Sequence, residues 1–414
     1  MGIPFYFASL CRKHKNIIRK IKHTETDLFA VDFNCFIHRY LDESDPIQSI
    51  IAAFRKLLEQ ITAKSIYVAF DGLVPFAKIV QQRYRRMIVK EKTEFDRNQI
   101  SPGTPYMKQL EEAMQLNFPD IVFSMTDEPG EGEHKIFNYV TTQRDIIVYG
   151  LDADLILLSL IKPQNIQLLR ESDQMGGKEG FSLMNISMLK SLIAIPIDQY
   201  LILSILCWGN DFMPNLGIFS LREEGYERAI NYYTECGKPD LNTFQGRTVF
   251  FEHCAAKEAN IITTLIKQRN NPGELSVNRS NYGLKILDGV QNMESVVDAY
   301  WKTFHWTLYY FLNNTPLNWD WYYPYADAPL IEDLMDYDEY DAPKLGGCSF
   351  NITDQLQFIL PSTSLRIAKK KVLNLNEFYT TTRMPWLKRH DWEMKPRISL
   401  SNWKMELTTV QKLN

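Results

Sequence analysis

The sequence predicts an α/β fold: a mostly parallel sheet flanked by helices, followed by a helical C-terminal region packed on it. Three observations carry this reading. Continuous apolar runs at 28–33 (LFAVDF), 65–71 (SIYVAFD) and 145–150 (DIIVYG) alternate with stretches of helical spacing. Strands that are apolar throughout, rather than at every second residue, belong to sheets covered on both faces. Each run also ends in or leads into aspartate: Asp32, Asp71, then Asp152 and Asp154.

Taken in order, residues 1–24 hold no acid and several bases (Arg12, Lys13, Lys15, Arg19, Lys20, Lys22). That composition suits a transit peptide or a folded basic N-terminus. Residues 28–33 form the first strand, ending in Asp32. Residues 47–61 repeat apolar positions at helical spacing, and 65–71 form a second strand ending in Asp71. A basic helix follows at 74–92, a helix at 135–142 and a third strand at 145–150. Residues 162–182 read as a hairpin or loop excursion. Residues 198–207 read as a helix leading into Trp208-Gly209-Asn210-Asp211. From 226 to 312 the chain turns helical and aromatic, so a soft boundary falls near 225. It divides an α/β core (1–225) from a C-terminal region (226–414). The acidic run 332–341 (EDLMDYDEYD) reads as a solvated loop.

Composition narrows the class. The chain has 414 residues, 45% of them apolar, enough for a sizeable core. A net charge of −4 announces no nucleic-acid binder by bulk electrostatics. The six cysteines show no C-x-x-C spacing, which predicts reduced thiols in an intracellular, cytoplasmic protein without a zinc site. Cys35 and Cys207 read as core residues. No apolar run reaches the roughly 18 residues of a membrane span.

Two carboxylate pairs at i,i+2 spacing stand out: Glu131/Glu133 in Gly-Glu-Gly-Glu-His (130–134), and Asp152/Asp154 in Tyr-Gly-Leu-Asp-Ala-Asp (149–154). With Asp32, Asp71 and Asp211 they make seven acids at strand ends or beside glycine. In open α/β sheets such ends face the ligand crevice. Mg²⁺ prefers oxygen ligands, and two ions about 4 Å apart can activate water and stabilise a leaving oxygen. The plainer alternative is a set of caps and surface carboxylates, against which stands the lack of a matching set of neighbouring bases. Glu131 also fits a helix N-cap, and Asp71 also fits a role through water. Lys78, Gln82, Arg85 and Arg86 fall at i, i+4, i+7 and i+8, one stripe of the basic helix. Forked arginine donors suit phosphate. An ordinary solvated face remains the alternative.

Together these segments resemble the XRN family of 5′→3′ exoribonucleases. Met-Gly-Ile-Pro-Phe-Tyr-Phe looks like the family's opening, and Asp32-Phe33-Asn34 with His38 like its D-x-N-x-x-x-H segment. Asp71-Gly72, Pro75, Lys78, Gln81-Gln82-Arg83 and Arg85-Arg86 look like D-G-x-x-P-x-A-K-x-x-Q-Q-R-x-R-R. Ile100-Ser101-Pro102-Gly103-Thr104-Pro105, the Gly130–Lys135 and Gly150–Leu155 segments, Gly209-Asn210-Asp211-Phe212 and Trp319–Tyr325 match further motifs. The resemblance implies a PIN-like nuclease core with Mg²⁺ (Mn²⁺ as a substitute) on Asp32, Glu133, Asp152, Asp154 and Asp211. It implies a 5′-monophosphate on Lys78, Gln82, Arg85 and Arg86. It implies bases stacked on His38 and a tryptophan of the Trp319/Trp321 pair, with Pro75 at the channel mouth. The expected substrate is single-stranded RNA with a 5′-monophosphate, degraded by a monomer. Cellular members are far longer, and Asp320 stands where the family usually has a small polar residue. Two other readings are a flap endonuclease-like DNA nuclease and an inactive scaffold that binds RNA 5′ ends. The first wants a duplex-binding helical motif and an arch, which the sequence does not display. The second leaves the full acidic set without a purpose.

Overall fold

The computed structural model describes residues 2–21, 23–88, 95–171, 180–268, 278–285, 287, 290–325, 327–360, 380–381 and 396–397. The end of the basic-helix prediction (89–92), residues 172–179 of the expected excursion, and most of the chain after 360 lie outside them. So does Lys22.

A seven-stranded sheet organises the first half. Its strands are β1 (Ile18–Lys20), β2 (Thr24–Asp32), β3 (Ile61–Ala69), β4 (Val122–Ser124), β5 (Asp145–Tyr149), β6 (Asn165–Glu171) and β7 (Phe181–Asn185), in the order β1-β7-β6-β5-β2-β3-β4. The five strands from β6 to β4 run parallel, and β7 and β1 add an antiparallel edge. The 162–182 excursion is therefore one side of a hairpin that extends the sheet. A small ladder pairs β8 (Thr380–Thr381) with β9 (Pro396–Arg397).

The helices around the sheet are α1 (Tyr6–Lys13), α2 (Phe33–Ile37), α3 (Pro46–Leu58), α4 (Phe76–Ile88), α5 (Pro105–Asn117), α6 (Gly132–Tyr139), α7 (Asp154–Leu160), α8 (Ile186–Leu192) and α9 (Ile197–Trp208). Local chemistry starts several of them. Asp45 caps α3 by accepting from Gln48 N–H at 3.2 Å, with Pro46 at the first helical position. Thr104 does the same for α5 through Met107 N–H at 3.3 Å, followed by Pro105. This gives the Ser101–Pro105 loop a structural purpose as well.

The apolar strands bury both faces, and their residues alternate between two cores. Leu28, Ala30, Ile146 and Val148 face the core under α6, α7 and α9. Phe29, Val31, Ile147 and Tyr149 face the core under α2, α3 and α5. Residues 1–24 are folded in part: Ile3, Tyr6 and Leu10 of the N-terminal stretch are core residues.

The C-terminal region adds α10 (Gly225–Glu235), α11 (Phe244–Gln268), α12 (Arg279–Lys285), α13 (Met293–Asn313), α14 (Ile331–Asp336) and α15 (Ile352–Ile359). The first core continues across residue 225 into Phe250, Tyr300, Trp306 and Ile331. The acidic run 332–341 is not a solvated loop. Its first half is α14, Asp333 is buried and bonded to Arg279 at 2.9 Å, and Glu339 accepts from Arg247 at 2.6 Å. Acids that have found guanidiniums need no water. Among the described residues no single helix is long and apolar enough to cross a membrane.

Candidate active site

Parallel strands deliver their carboxyl ends to one edge of the sheet, and the acids follow those ends. Asp32 closes β2, Asp71 lies just beyond β3, Asp152 just beyond β5, and Asp154 begins α7. Glu131 and Glu133 stand at the start of α6, and Asp211 lies just beyond α9.

Asp71 ties three segments together. Its Oδ1 accepts from Gly132 N–H at 2.7 Å and its Oδ2 from Asn34 Nδ2 at 3.0 Å. Glycine makes the approach possible. A Cβ on Gly132 would lie 3.0 Å from Asp32 Oδ1, and one on Gly2 would lie 2.3 and 2.5 Å from the Oδ1 atoms of Asp152 and Asp154. Gly2 also has φ +44°, a left-handed conformation that costs glycine little.

Glu131 occupies the N-cap position of α6, but its side chain caps nothing there. Its Oε1 accepts from Tyr310 O–H at 2.9 Å, and its Oε2 lies 2.5 Å from Lys78 Nζ. Lys78 Nζ also donates to Asp211 Oδ2 at 2.8 Å, whose Oδ1 takes Gln81 Nε2 at 3.1 Å. Lys78 is thus inside the acidic cluster.

Among the described residues Lys78 is the cation that enters the cluster, and alone it does not balance these acids. Asp32, Glu131, Glu133, Asp152 and Asp154 are all buried. Burial, then the Asp71 carboxylate, raises the pKa of Asp32 to about 7. Burial also drives Glu133 and Asp154 well up, with Asp152 adding repulsion to both. Asp152 goes the other way: burial pushes it up, but positive charge around it, Lys78 included, holds it low. Both oxygens of Asp154 and Oε1 of Glu133 are buried with no hydrogen-bond partner among the described residues. Buried carboxylates in that condition are costly unless a cation compensates them. The donors are oxygens, which suits a hard divalent ion. The residues present therefore fit a divalent metal.

Sequence reasoning missed several participants. Ligand atoms of Glu131, Glu133 and His134 lie within 4.8 Å of one another. His134 stacks on Tyr310 at 3.8 Å between ring centres and turns Nδ1 to Asn314 Oδ1 at 3.3 Å. Burial lowers its pKa to about 3, so it is neutral. Asn34, Gln81 and Tyr310 act through the bonds above. Cys35, expected in the core, packs against the second core and also donates to Asp32 Oδ2 at 2.8 Å. Cys207 is a core residue as expected.

The basic stripe divides along α4. Lys78, near its start, enters the acidic cluster, while Arg86, near its end, donates to Ser101 Oγ at 2.7 Å and to the Ile100 carbonyl at 3.3 Å. Arg85 is exposed, and Gln82 is half-buried with an Oε1 that has no hydrogen-bond partner among the described residues. Arg83, off the stripe, is buried with its guanidinium 4.3 Å from the Phe358 ring centre. His38 keeps an exposed edge, yet crowding by the protein, then Arg85, Arg97 and Arg86, lowers its pKa to about 4.

The aromatic candidates separate too. Pro75 is buried at the start of α4, and Trp319 is brought beside it by a bond from Phe76 N–H to the Trp319 carbonyl at 2.8 Å. Trp321 packs on the main core, with its indole N–H donated to Thr303 Oγ1 at 3.1 Å.

Comparison with known proteins gives matches over much of the chain. The family model described as XRN 5′-3′ exonuclease N-terminus matches residues 1–93 and 87–172, and the one described as Xrn1 helical domain matches 281–374. The 5′-3′ exoribonuclease 1 of Saccharomyces cerevisiae is 29% identical over 332 residues, which cover 58% of this chain and 22% of the yeast protein. The human 5′-3′ exoribonuclease 1 is 24% identical over 524 residues, covering 88% of this chain and 31% of its own length. The chain thus spans less than a third of either relative. Among solved structures, flap endonuclease-1 from Methanococcus jannaschii aligns with a TM-score of 0.36 and 16% identity, covering 64% of this chain and 93% of that one.

Proposed function

This chain belongs to the XRN 5′-3′ exonuclease family, and from that premise we propose that it removes nucleotides successively from the 5′ end of single-stranded RNA bearing a 5′-monophosphate. The observation that carries the reading is Lys78. It stands at 2.5 and 2.8 Å from Glu131 and Asp211, on the same helix that carries Arg85 and Arg86. One rigid element therefore joins a buried acidic cluster to a basic end.

Asp32, Glu133, Asp152, Asp154 and Asp211 would hold Mg²⁺, with Mn²⁺ as a substitute. Such ions, two when fully loaded, supply charge that stabilises the attacking and leaving oxygens of a phosphodiester. Asp71 acts from behind them by anchoring the start of α6 and the Asn34 amide. Glu131, held by Tyr310 and Lys78, keeps Lys78 aligned with Asp211.

At the other end Gln82, Arg85 and Arg86, with Lys78, receive the 5′-phosphate. Guanidiniums give it forked donors, and the neutral His38 offers a ring face to the first base. Of the two tryptophans, Trp319 is the one left to stack at the channel mouth beside Pro75, because Trp321 is committed to the core. A pocket for a terminal phosphate measures one nucleotide, and each cut creates a new 5′-phosphate to refill it. Stacking on aromatic faces, worth about 1–3 kcal/mol per base, accepts any sequence. We place this activity in the cytoplasm, carried out by a monomer.

The test is end-labelled RNA carrying a 5′-monophosphate, triphosphate, hydroxyl or cap, with Mg²⁺ or with chelator. Rapid release of mononucleotides is expected only from the monophosphate with Mg²⁺. Equal digestion of all four ends would remove the case for a phosphate pocket.

A further inference from the structure

We propose that Cys35 is a positioning residue: its thiol holds the Asp32 carboxylate in the orientation that binds the metal, against the pull of the helix that Asp32 begins. The inference rests on the metal-dependent nuclease reading above.

Asp32 is the N-cap of α2. An aspartate there ordinarily turns its carboxylate onto the backbone N–H of the second or third helical residue. That local bond would draw the side chain away from the acidic cluster. In this chain the bond is not made: Asp32 has no side-chain cap bond to α2. Instead Oδ2 accepts from the Cys35 thiol, at the third helical position, at 2.8 Å. The other oxygen, Oδ1, is directed at Gly132 and the opening of α6, where a Cβ would meet it at 3.0 Å. The thiol thus replaces the backbone as donor and leaves one carboxylate oxygen for the cluster.

The neighbouring strand end is held separately: Arg170 donates to the carbonyls of Leu151 and Asp152 and stacks on Phe7 at 4.0 Å. The segment that carries Asp152 beyond β5 is thus fixed by Arg170, and the Asp32 carboxylate at the end of β2 by Cys35. The D-x-N-x-x-x-H segment leaves position 35 open, so this bond is a property of this chain's residue there. A thiol suits the task, being small enough for a tight turn and a weak donor that does not take the carboxylate's charge.

Groups behind metal ligands typically set affinity or activity by 10- to 100-fold. The test is calorimetric titration of Mn²⁺ into the wild type, Cys35→Ala and Cys35→Ser, with thermal unfolding of each metal-free protein alongside. Cys35→Ala is expected to bind Mn²⁺ roughly 10-fold more weakly. Cys35→Ser, which keeps a donor, is expected to restore affinity to near the wild-type value. If Cys35→Ala matches a wild type that binds Mn²⁺, or if both variants lose affinity equally, the thiol does not position Asp32. If the wild type itself binds no Mn²⁺, the metal reading falls and takes this inference with it. Unchanged affinity with a lowered unfolding temperature assigns Cys35 to packing alone and overturns the proposal.

Discussion

Asp154 shows most plainly what the site sacrifices. The residue is 1% exposed, and neither carboxylate oxygen has a hydrogen-bond partner among the described residues. An unsatisfied buried polar group costs about 1–3 kcal/mol, and a charged one more. Asp154→Asn removes the charge at nearly constant shape. It should raise metal-free stability by roughly 1–3 kcal/mol while abolishing RNA cleavage. Urea unfolding in chelator and a nuclease assay in Mg²⁺ check the two halves. A variant that cuts RNA would show that Asp154 is not at the metal. At this scale the sequence was informative about the acids, since a strand end followed by aspartate is a local pattern. It was silent on their partners. Tyr310 meets Glu131 across 179 positions and Lys78 meets Asp211 across 133. No local spacing encodes such pairs. Trp319 and Trp321 illustrate the same limit. They are two residues apart and similar in type, but only Trp321 finds Thr303.

At the scale of elements, the parallel strands were legible because both of their faces are buried, which leaves a continuous apolar run. The acidic run 332–341 was misread because its bases, Arg279 and Arg247, lie 54 and 92 residues away from Asp333 and Glu339. The junction of α11 with α14 carries a pH dependence. Glu258 is buried, and its Oε2 accepts from the N–H groups of Ile331 and Glu332 at 2.8 and 3.2 Å. Burial outweighs those bonds and raises its pKa to about 7, from an ordinary 4.5. The folded chain therefore retains a proton that the unfolded chain releases. This contribution to stability is whole below about pH 4.5 and is lost as pH rises to about 7. Glu258→Gln should be less sensitive than the wild type by about 2–3 kcal/mol across that window. Urea midpoints at pH 5 and 7.5 measure the difference. Parallel pH profiles would mean that Glu258 ionises normally.

For the molecule as a whole, one core runs from Ile3 past residue 225 to Leu334, so the helical region and the sheet share their interior. Tyr310 of α13 reaches Glu131 through that shared interior, and α4 carries both the lysine of the acidic cluster and the arginines of the basic end. The central claim is that these two ends form a single machine, with the phosphate grip at Arg85 and Arg86 feeding the acids at Lys78. The direct measurement is single-turnover cleavage of 5′-monophosphate and 5′-hydroxyl RNA by the wild type and by Arg85→Ala/Arg86→Ala. A bond to a charged group is worth about 1.5–3 kcal/mol, roughly 10- to 100-fold in rate. The double variant should lose its preference for the monophosphate by at least that factor, while its slow cleavage of hydroxyl-ended RNA is unchanged. An undiminished preference in the double variant would contradict the account.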